Sequence, residues 1–243
     1  MSDDAIPAAT LVVIRDRPRQ APELLMVTRT RGMAFAGGAM VFPGGRIDKG
    51  DRVLAGKPGE AAKIAAVRET LEETGLPVGL RTTPIDTREL QEELVRGAGF
   101  ADLLDRHGLD LDLPQLVPFA RWKPAFHQPR RFDTRFFIAR AADGDWPLRP
   151  QEGECDAAEW ITAADVLARI AAGTASAIFP TVRNLERLAQ FGSFEEARDH
   201  ALAHPVETIS PWVEEVNGEK WLRIPDHLGY PVTRERLTDA VRA

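Results

Sequence analysis

The segment that most constrains this chain is Arg68-Glu69-Thr70-Leu71-Glu72-Glu73-Thr74-Gly75-Leu76, and Phe42-Pro43-Gly44-Gly45 precedes it. At 3.6 residues per turn, Glu69, Glu72 and Glu73 lie within roughly 100° of arc on one helical face. Apolar residues repeat on the opposite face, which predicts a helix over 58–74 packed against a core. Gly75 favours a helix end at this point, because glycine readily adopts the left-handed conformation.

The clustered carboxylates are unfavourable in a helix that has no ligand. They lie near its C-terminal end, where the helix dipole is also negative. Like charges at these spacings cost about 0.2–0.5 kcal/mol per pair. A divalent cation would offset both effects, since Mg²⁺ prefers carboxylate oxygens and shares its shell with substrate phosphates. The alternative is a solvated acidic face with Arg68 as its counter-charge.

The upstream glycines favour the first interpretation. Gly44 and Gly45 follow an expected strand and let the backbone approach a ligand closely. Together with Glu60 and the segment 68–76, they resemble the signature of the Nudix hydrolase superfamily. Thr70 replaces the usual aliphatic residue, and an insertion falls within 46–59, either as a lid or as a longer loop.

This resemblance implies metal-dependent hydrolysis of a diphosphate bond in a nucleoside diphosphate linked to another moiety. Its implied cofactor is Mg²⁺ or Mn²⁺. The metal ligands that it implies are the Gly45 carbonyl, Glu69, Glu72 and Glu73, while Glu60 is expected to be structural or to support the ligands. Arg68 would orient Glu69 through a charge-assisted hydrogen bond, and Glu69 acts as the base in some relatives. Positioned water and charge neutralisation suit phosphoryl chemistry without a protein nucleophile.

A second acidic segment covers 151–160 and ends in Trp160, which resembles a tryptophan of the family. Related enzymes often complete the site with a remote acidic residue that binds metal or acts as a base. Glu154 is the candidate for that catalytic role. An ordinary acidic loop explains the same residues equally well.

The substrate prediction depends on residues 24–45. They resemble the coenzyme A-binding signature of the coenzyme A diphosphatase branch through Arg29, Gly38 and the block 42–45. The second arginine of that signature falls on Ala34, and Arg31 is the nearest substitute. The insertion, the strand at 130–137 and the helix beginning at 179 also resemble the nucleoside diphosphate-linked moiety X motif 19 subfamily.

These resemblances imply coenzyme A or acyl-coenzyme A as substrate, with 3′,5′-ADP and (acyl)phosphopantetheine as products. The expected substrate-binding residues are Arg29, Arg31, Gly38, Gly44 and Arg131. A pyrophosphatase acting on ADP-ribose, NADH or nucleotide sugars would use the same metal site. A non-catalytic Nudix-fold ligand-binding module is the third alternative.

Strand and helix patterns alternate along the chain. Strands are expected at 8–14, 23–28, 39–42, 116–122, 131–139 and 156–161, with helices at 163–171, 179–191 and 194–203. This predicts an α/β fold, a Nudix-type α/β/α sandwich with a mixed sheet. We expect one domain over 1–243, with inserted helices at 87–107 and a C-terminal extension over 178–243. Beyond 204 we expect irregular structure with one strand at 220–224.

Composition limits the partners. The net charge is −6, which does not favour a surface for nucleic acid or an anionic membrane. A single cysteine, Cys155, excludes an intramolecular disulfide and fits a reducing cytoplasm. The N-terminus lacks a signal pattern, and no apolar run reaches the roughly 18 residues of a membrane span. We therefore expect a cytoplasmic protein with a small-molecule substrate, and a homodimer is left open.

Overall fold

A computed structural model describes residues 5–33, 36–81, 86–124 and 131–240. Within those residues the strands are β1 (Ile6–Arg17), β2 (Gln20–Arg29), β3 (Met40–Val41), β4 (Gly44–Arg46), β5 (Leu80–Arg81), β6 (Asp110–Leu111), β7 (Val117–Trp122), β8 (Phe132–Arg140), β9 (Cys155–Thr162), β10 (Thr208–Ile209), β11 (Trp212–Val216), β12 (Glu219–Arg223) and β13 (Arg234–Arg236). The helices are α1 (Lys49–Leu54), α2 (Glu60–Thr74), α3 (Thr87–Val95), α4 (Phe100–His107), α5 (Ala163–Ala171), α6 (Phe179–Leu188), α7 (Phe194–Ala203) and α8 (Leu237–Ala240), with a 3₁₀ turn at Leu113–Gln115.

The main sheet is mixed and has the order β10-β7-β8-β1-β2-β3, with β4 beside β1 and β9 beside β2. Strand β1 pairs parallel with β8 and antiparallel with β2, and β2 pairs antiparallel with β9. Strand β4 pairs with β1 through Ala9 opposite Gly45 and Thr10 opposite Gly44. The Gly44-Gly45 segment, called the glycine turn below, is therefore paired directly with the central strand β1.

Both faces of the sheet are covered, because successive side chains of a strand point to opposite sides. Leu11 and Val13 of β1 belong to the core on the side of α2, α3 and α4. Val12 and Ile14 belong to the core on the side of α5, α6 and α7. The predicted α/β/α sandwich with a mixed sheet is confirmed.

Helix α2 begins two residues later than expected and ends where the sequence predicts. Gly75 has φ of 73°, and its N–H donates to the carbonyl of Leu71 at 2.8 Å. Thr70 is fully buried, and its hydroxyl donates to the Ala66 carbonyl at 2.7 Å. This bond satisfies the hydroxyl within the helix, so that threonine is tolerated at an aliphatic position.

The two insertions are both ordered elements. The segment 46–59 contains the short helix α1, which packs against α2 and α4. The segment 87–107 contains α3 and α4, and the turn 96–99 separates them. The segment 46–59 is therefore not a plain loop, because part of it is a helix that packs against α2, and a lid function stays a prediction.

The region beyond 204 corrects the sequence prediction. The expected strand at 220–224 is β12, but β11 and β13 flank it in a three-stranded antiparallel sheet where we expected irregular structure. Asn217 and Gly218 form the β11–β12 turn with φ of 54° and 81°. An Asn-Gly pair is a strong hairpin signal, and it was overlooked because the flanking strands are largely exposed and lack an apolar alternation.

The C-terminal extension is anchored to the sheet by Tyr230. Its hydroxyl donates to Asn184 Oδ1 of α6 at 2.8 Å and accepts from Trp122 Nε1 of β7 at 3.2 Å. All three residues are buried.

The division of the chain into a single domain stays a prediction. Among the described residues, no helix is long and apolar enough to cross a membrane.

Candidate active site

A cleft of about 740 Å³ lies between the glycine turn, α1, α2 and the α3–α4 turn. Its acidic side is lined by Asp48, Asp51, Glu69, Glu72, Glu73 and Glu154. Its basic lining consists of Arg29, Arg46 and Arg68. Much of the remaining wall is apolar and includes Met33, Phe42, Trp122, Phe132, Phe136, Ile178 and Pro180.

The glycine turn touches two of the predicted metal ligands. The Gly44 N–H donates to Glu73 Oε2 at 3.1 Å. A Cβ at Gly45 would lie 2.5 Å from the Glu69 carboxyl carbon, and one at Gly44 would lie 2.4 Å from the Ala9 carbonyl oxygen. At Gly44 the space that a side chain would occupy is filled by backbone, whereas at Gly45 it is filled by the Glu69 carboxyl group, which is the end of a flexible side chain.

Arg68 holds the other carboxylates. Its Nη1 lies 3.0 Å from Glu69 Oε1 and 3.3 Å from Glu72 Oε2. Arg68 and Glu69 therefore form an ion pair, and the orienting role expected for Arg68 stays a prediction. The arrangement also brings Glu72 into the same network.

Asp51 is the site residue that sequence reasoning missed. It is fully buried and accepts two hydrogen bonds from the Arg68 guanidinium, from Nε and Nη2, both at 3.0 Å. Asp51 belongs to α1, inside the insertion. The one available signal was the spacing of Asp48 and Asp51, because an acid three residues after a helix-capping aspartate favours a helix start.

Burial disfavours the charged forms of Glu69, Glu72 and Glu73, and the nearby positive charges do not fully offset this effect. Burial raises the pKa of Glu69 to about 7, although Arg68 acts in the opposite direction. Burial also raises the pKa of Glu72. For Glu73, burial and then the charge of Glu69 raise the pKa well above its usual range. A cation placed among these side chains would reverse all three shifts.

The donor chemistry fits a hard divalent cation, because carboxylates and a backbone carbonyl are the ligands that Mg²⁺ and Mn²⁺ accept. Across 5–33, 36–81, 86–124 and 131–240, however, no three acidic, histidine or cysteine side chains already surround one point. The residues that would hold a cation are Glu69, Glu72, Glu73 and the Gly45 carbonyl, which line one cleft.

Glu154 lines the same cleft, although it lies about 80 residues after α2, in the loop before β9. Its charge contributes to the raised pKa values of Glu69, Glu72 and Glu73. The loop that carries it is fixed by backbone bonds, from Thr30 N–H to the Glu154 carbonyl at 2.9 Å and from Gln151 N–H to the Glu73 carbonyl at 3.0 Å. The structure thus brings all four predicted acidic residues together.

Glu60 does not join this cluster of acids. Its Oε2 accepts from the backbone N–H groups of Gly56 and Lys57 at 2.9 and 3.0 Å. It closes the end of the insertion immediately before α2, which agrees with the structural alternative for this residue.

Arg29 lines the cleft near Glu73. Its positive charge partly opposes the effect of burial, which raises the pKa of Glu73. The Arg29 Nε is buried, and it has no hydrogen-bond partner among the described residues. By contrast, Arg31, Gly38 and Arg131 are not among the described residues that line the cleft. Their substrate contacts stay predictions, and Ala34 lies outside the described residues.

The chain matches the NUDIX domain family over residues 5–182. The crystal structure of a NUDIX hydrolase from Alicyclobacillus acidocaldarius is 34% identical in sequence with a TM-score of 0.73, over 82% of this chain and 97% of that chain. The Caenorhabditis elegans protein named "Putative nudix hydrolase 7" is 28% identical over 172 residues, which is 69% of this chain. The aligned part spans 56% of that relative's length. Since the family match covers well over half of the sequence, this chain belongs to the NUDIX family.

Proposed function

We propose that this protein is a Nudix hydrolase that cleaves a diphosphate bond in a nucleoside diphosphate derivative, with Mg²⁺ or Mn²⁺ as cofactor. The observation that carries the proposal is the convergence of Glu69, Glu72, Glu73 and Glu154 on one cleft beside the Gly45 backbone. A purely structural acidic helix face would be solvated, whereas Glu73 is buried and its partner is a backbone N–H.

Each residue of the proposed site has its own role. Glu69, Glu73 and the Gly45 carbonyl are the proposed ligands, and Glu72 shares the shell. When bound, the cation neutralises phosphate charge and lowers the pKa of a coordinated water. Arg68 orients Glu69, and Gly44 holds Glu73 through its N–H. Glu69 and Glu154 are the two candidates to accept the proton of the attacking water.

The proposed substrate is coenzyme A or an acyl-coenzyme A, cleaved to 3′,5′-ADP and (acyl)phosphopantetheine. Arg29 lines the cleft and supplies positive charge for a diphosphate, which every candidate substrate contains. One feature of the cleft favours coenzyme A in particular, beyond the sequence resemblance. The apolar wall suits a long, weakly polar substituent, which ADP-ribose lacks.

The second candidate is a pyrophosphatase for ADP-ribose, NADH or nucleotide sugars. It is favoured by Ala34, which occupies the place of the second signature arginine. Arg31, the proposed substitute, is exposed and lies outside the cleft lining of the described residues. Both candidates use the same acidic cluster, so only the substrate distinguishes them.

Product analysis tests this choice. Purified protein is incubated separately with coenzyme A, dephospho-coenzyme A, ADP-ribose and NADH, each with Mg²⁺ or Mn²⁺ and with an EDTA control. Faster release of 3′,5′-ADP from coenzyme A than of AMP from the others supports the first proposal. Faster AMP formation from ADP-ribose or NADH replaces it with the second.

Variants separate catalysis from simple binding. We expect Glu69→Gln and Glu73→Gln to abolish turnover in a folded protein, and Glu154→Gln to do so only if Glu154 is the base or a necessary ligand. Metal-dependent turnover that survives Glu69→Gln would refute the proposed site. A chain with no turnover on any substrate would leave the ligand-binding module as its function.

The proposed setting is the cytoplasm, with a small molecule as the partner. Cys155 is buried and free, and burial raises the pKa of its thiol to about 12. Such a thiol is unreactive, which agrees with a structural role for the single cysteine. Size-exclusion chromatography with light scattering would determine whether the protein is a homodimer.

A further inference from the structure

The insertion within 46–59 contributes one fully buried charge to the site. The Asp51 side chain is 0% exposed, and the Arg68 side chain is 11% exposed. Both line the cleft where α1 packs against α2. A buried carboxylate is retained only where its oxygens are bonded, and those bonds define what Asp51 does.

Both oxygens of Asp51 are engaged. Oδ1 accepts from Arg68 Nε at 3.0 Å, and Oδ2 accepts from Arg68 Nη2 at 3.0 Å and from the Asp48 N–H at 2.8 Å. The backbone bond ties the carboxylate to the first turn of α1. The direction of the carboxylate is therefore set by the inserted helix.

This contact fixes the whole guanidinium group. The guanidinium group of Arg68 is planar, so two hydrogen bonds along its Nε–Nη2 edge also set the direction of Nη1. Nη2 also donates to the Arg46 carbonyl at 3.0 Å. Only Nη1 remains to reach Glu69 and Glu72, at 3.0 and 3.3 Å. These contacts of both glutamates with Arg68 therefore run through the single nitrogen Nη1, not through a two-point bond.

We propose that Asp51 is a positioning residue for the cation site, because it fixes Arg68 so that Glu69 and Glu72 are oriented without being captured. Without Asp51, the guanidinium would turn its two-point edge to one of these glutamates and compete with a cation for both oxygens. The inference rests on the proposed function, since it concerns the same glutamates. It also gives the insertion a role that neither a lid nor a spacer would have.

The first test measures the Mn²⁺ affinity of the Asp51→Asn variant and of the wild type, without substrate, by electron paramagnetic resonance of Mn²⁺. Asparagine keeps the volume of aspartate but replaces one acceptor oxygen with a donor that opposes Arg68. We expect Mn²⁺ affinity to fall about 10- to 100-fold, which is typical when a group that orients a metal ligand is removed. At saturating Mn²⁺, the substrate KM should change little, since Asp51 is not proposed to bind substrate.

Asp48→Asn is the matched control. It removes the same charge three residues away on the same turn of helix, but its side chain is 66% exposed and lies 3.9 Å from Arg68. We expect its effect on Mn²⁺ affinity to be far smaller than that of Asp51→Asn. Equal losses in the two variants would overturn the proposal, because a general charge effect would then explain both.

A double-mutant cycle with Arg68→Lys tests the route of the effect. If Asp51 acts through Arg68, then Asp51→Asn should cause no further loss of Mn²⁺ affinity in the Arg68→Lys background. Additive losses would overturn the proposal. If Asp51→Asn alone does not fold, Arg68→Lys carries the test, because lysine lacks the planar group through which Asp51 sets the direction of Nη1. Unchanged Mn²⁺ affinity in that variant would overturn the proposal.

Failure of this inference is distinguishable from failure of the proposed function. A wild-type protein that neither binds Mn²⁺ nor turns over any diphosphate would refute the proposed function itself. A wild-type protein that does both, with Asp51→Asn unchanged in Mn²⁺ affinity, would refute only the positioning role.

Discussion

Gly45→Ala separates the geometry of the site from the stability of the fold. An added Cβ would lie 2.5 Å from the Glu69 carboxyl carbon, whereas ordinary contact begins at 3.4 Å. The carboxyl must therefore move by about 0.9 Å. It is the end of a flexible side chain, so the fold can absorb the change, but a misplacement of about 1 Å in a catalytic group can reduce the rate about 10²-fold.

The assay is steady-state turnover of the preferred diphosphate substrate with saturating Mn²⁺, together with the melting temperature of the metal-free protein. We expect about a 100-fold loss of kcat/KM. We also expect little change in melting temperature. Gly192→Ala is the control, since its Cβ would make an ordinary contact of 3.5 Å on the surface. Near-normal activity in Gly45→Ala would show that the position of Glu69 is not critical and would refute the reasoning.

Three further changes test the fold around the site. Gly44→Ala sets a Cβ against the backbone oxygen of Ala9 at 2.4 Å, which cannot move as a side chain can, so we expect a loss of about 1–3 kcal/mol of unfolding free energy in urea; an unchanged denaturation midpoint would contradict this. Tyr230→Phe leaves Trp122 Nε1 and Asn184 Oδ1 buried without the hydroxyl, and we expect a loss of about 1–3 kcal/mol by the same measurement; wild-type stability would mean that the extension is anchored elsewhere. Burial raises the pKa of Glu186 from 4.5 to about 7, against the opposing effect of Arg183. The folded state therefore binds this proton more tightly, so the resulting stabilisation is complete below about pH 4.5 and is lost as pH rises through about 7. Glu186→Gln should flatten that part of the melting temperature profile, and a profile parallel to wild type would exclude the effect.

The local parts of the site could be predicted from the sequence, because they depend on helical spacing alone. Glu69, Glu72 and Glu73 lie on one face of α2, and Gly75 ends that helix as its residue type requires. Among the described residues, six of the eight strands of the main sheet were predictable, because their sequences carry apolar runs or apolar alternation. The short strands β4 and β10 carry neither pattern and were not predicted. Glu154 needed the family resemblance, because nothing in its own segment indicates which element it faces.

The role of Asp51 was not predictable, because the contact depends on how an insertion folds. Asp51 and Arg68 are 17 residues apart, and their meeting requires α1 to pack against α2. Of the sheet β11–β13, only β12 was predictable, as the strand at 220–224. Strands β11 and β13 are mostly exposed, so their sequences show no apolar alternation, and the Asn217-Gly218 turn is the signal for β11.

The charges of the cleft separate the chemistry of the site from its specificity. Six acidic residues and three arginines line it in the described part of the chain, and Asp51 already pairs with Arg68. A diphosphate is itself an anion, so the cleft without a cation would repel every substrate considered above. The acidic cluster therefore explains why we propose a metal cofactor, but the same cluster cannot select the nucleotide.

Selection must then come from the rest of the lining. Arg29 is the arginine there whose Nε has no hydrogen-bond partner among the described residues, and the apolar wall provides most of the remaining surface. Both substrate classes can place a phosphate near Arg29, whereas only one with a long, weakly polar arm gains contacts along the apolar wall. Substitutions in the wall should therefore alter KM ratios among substrates while the metal requirement stays constant, and a change in both together would mean that the two parts of the cleft are not independent.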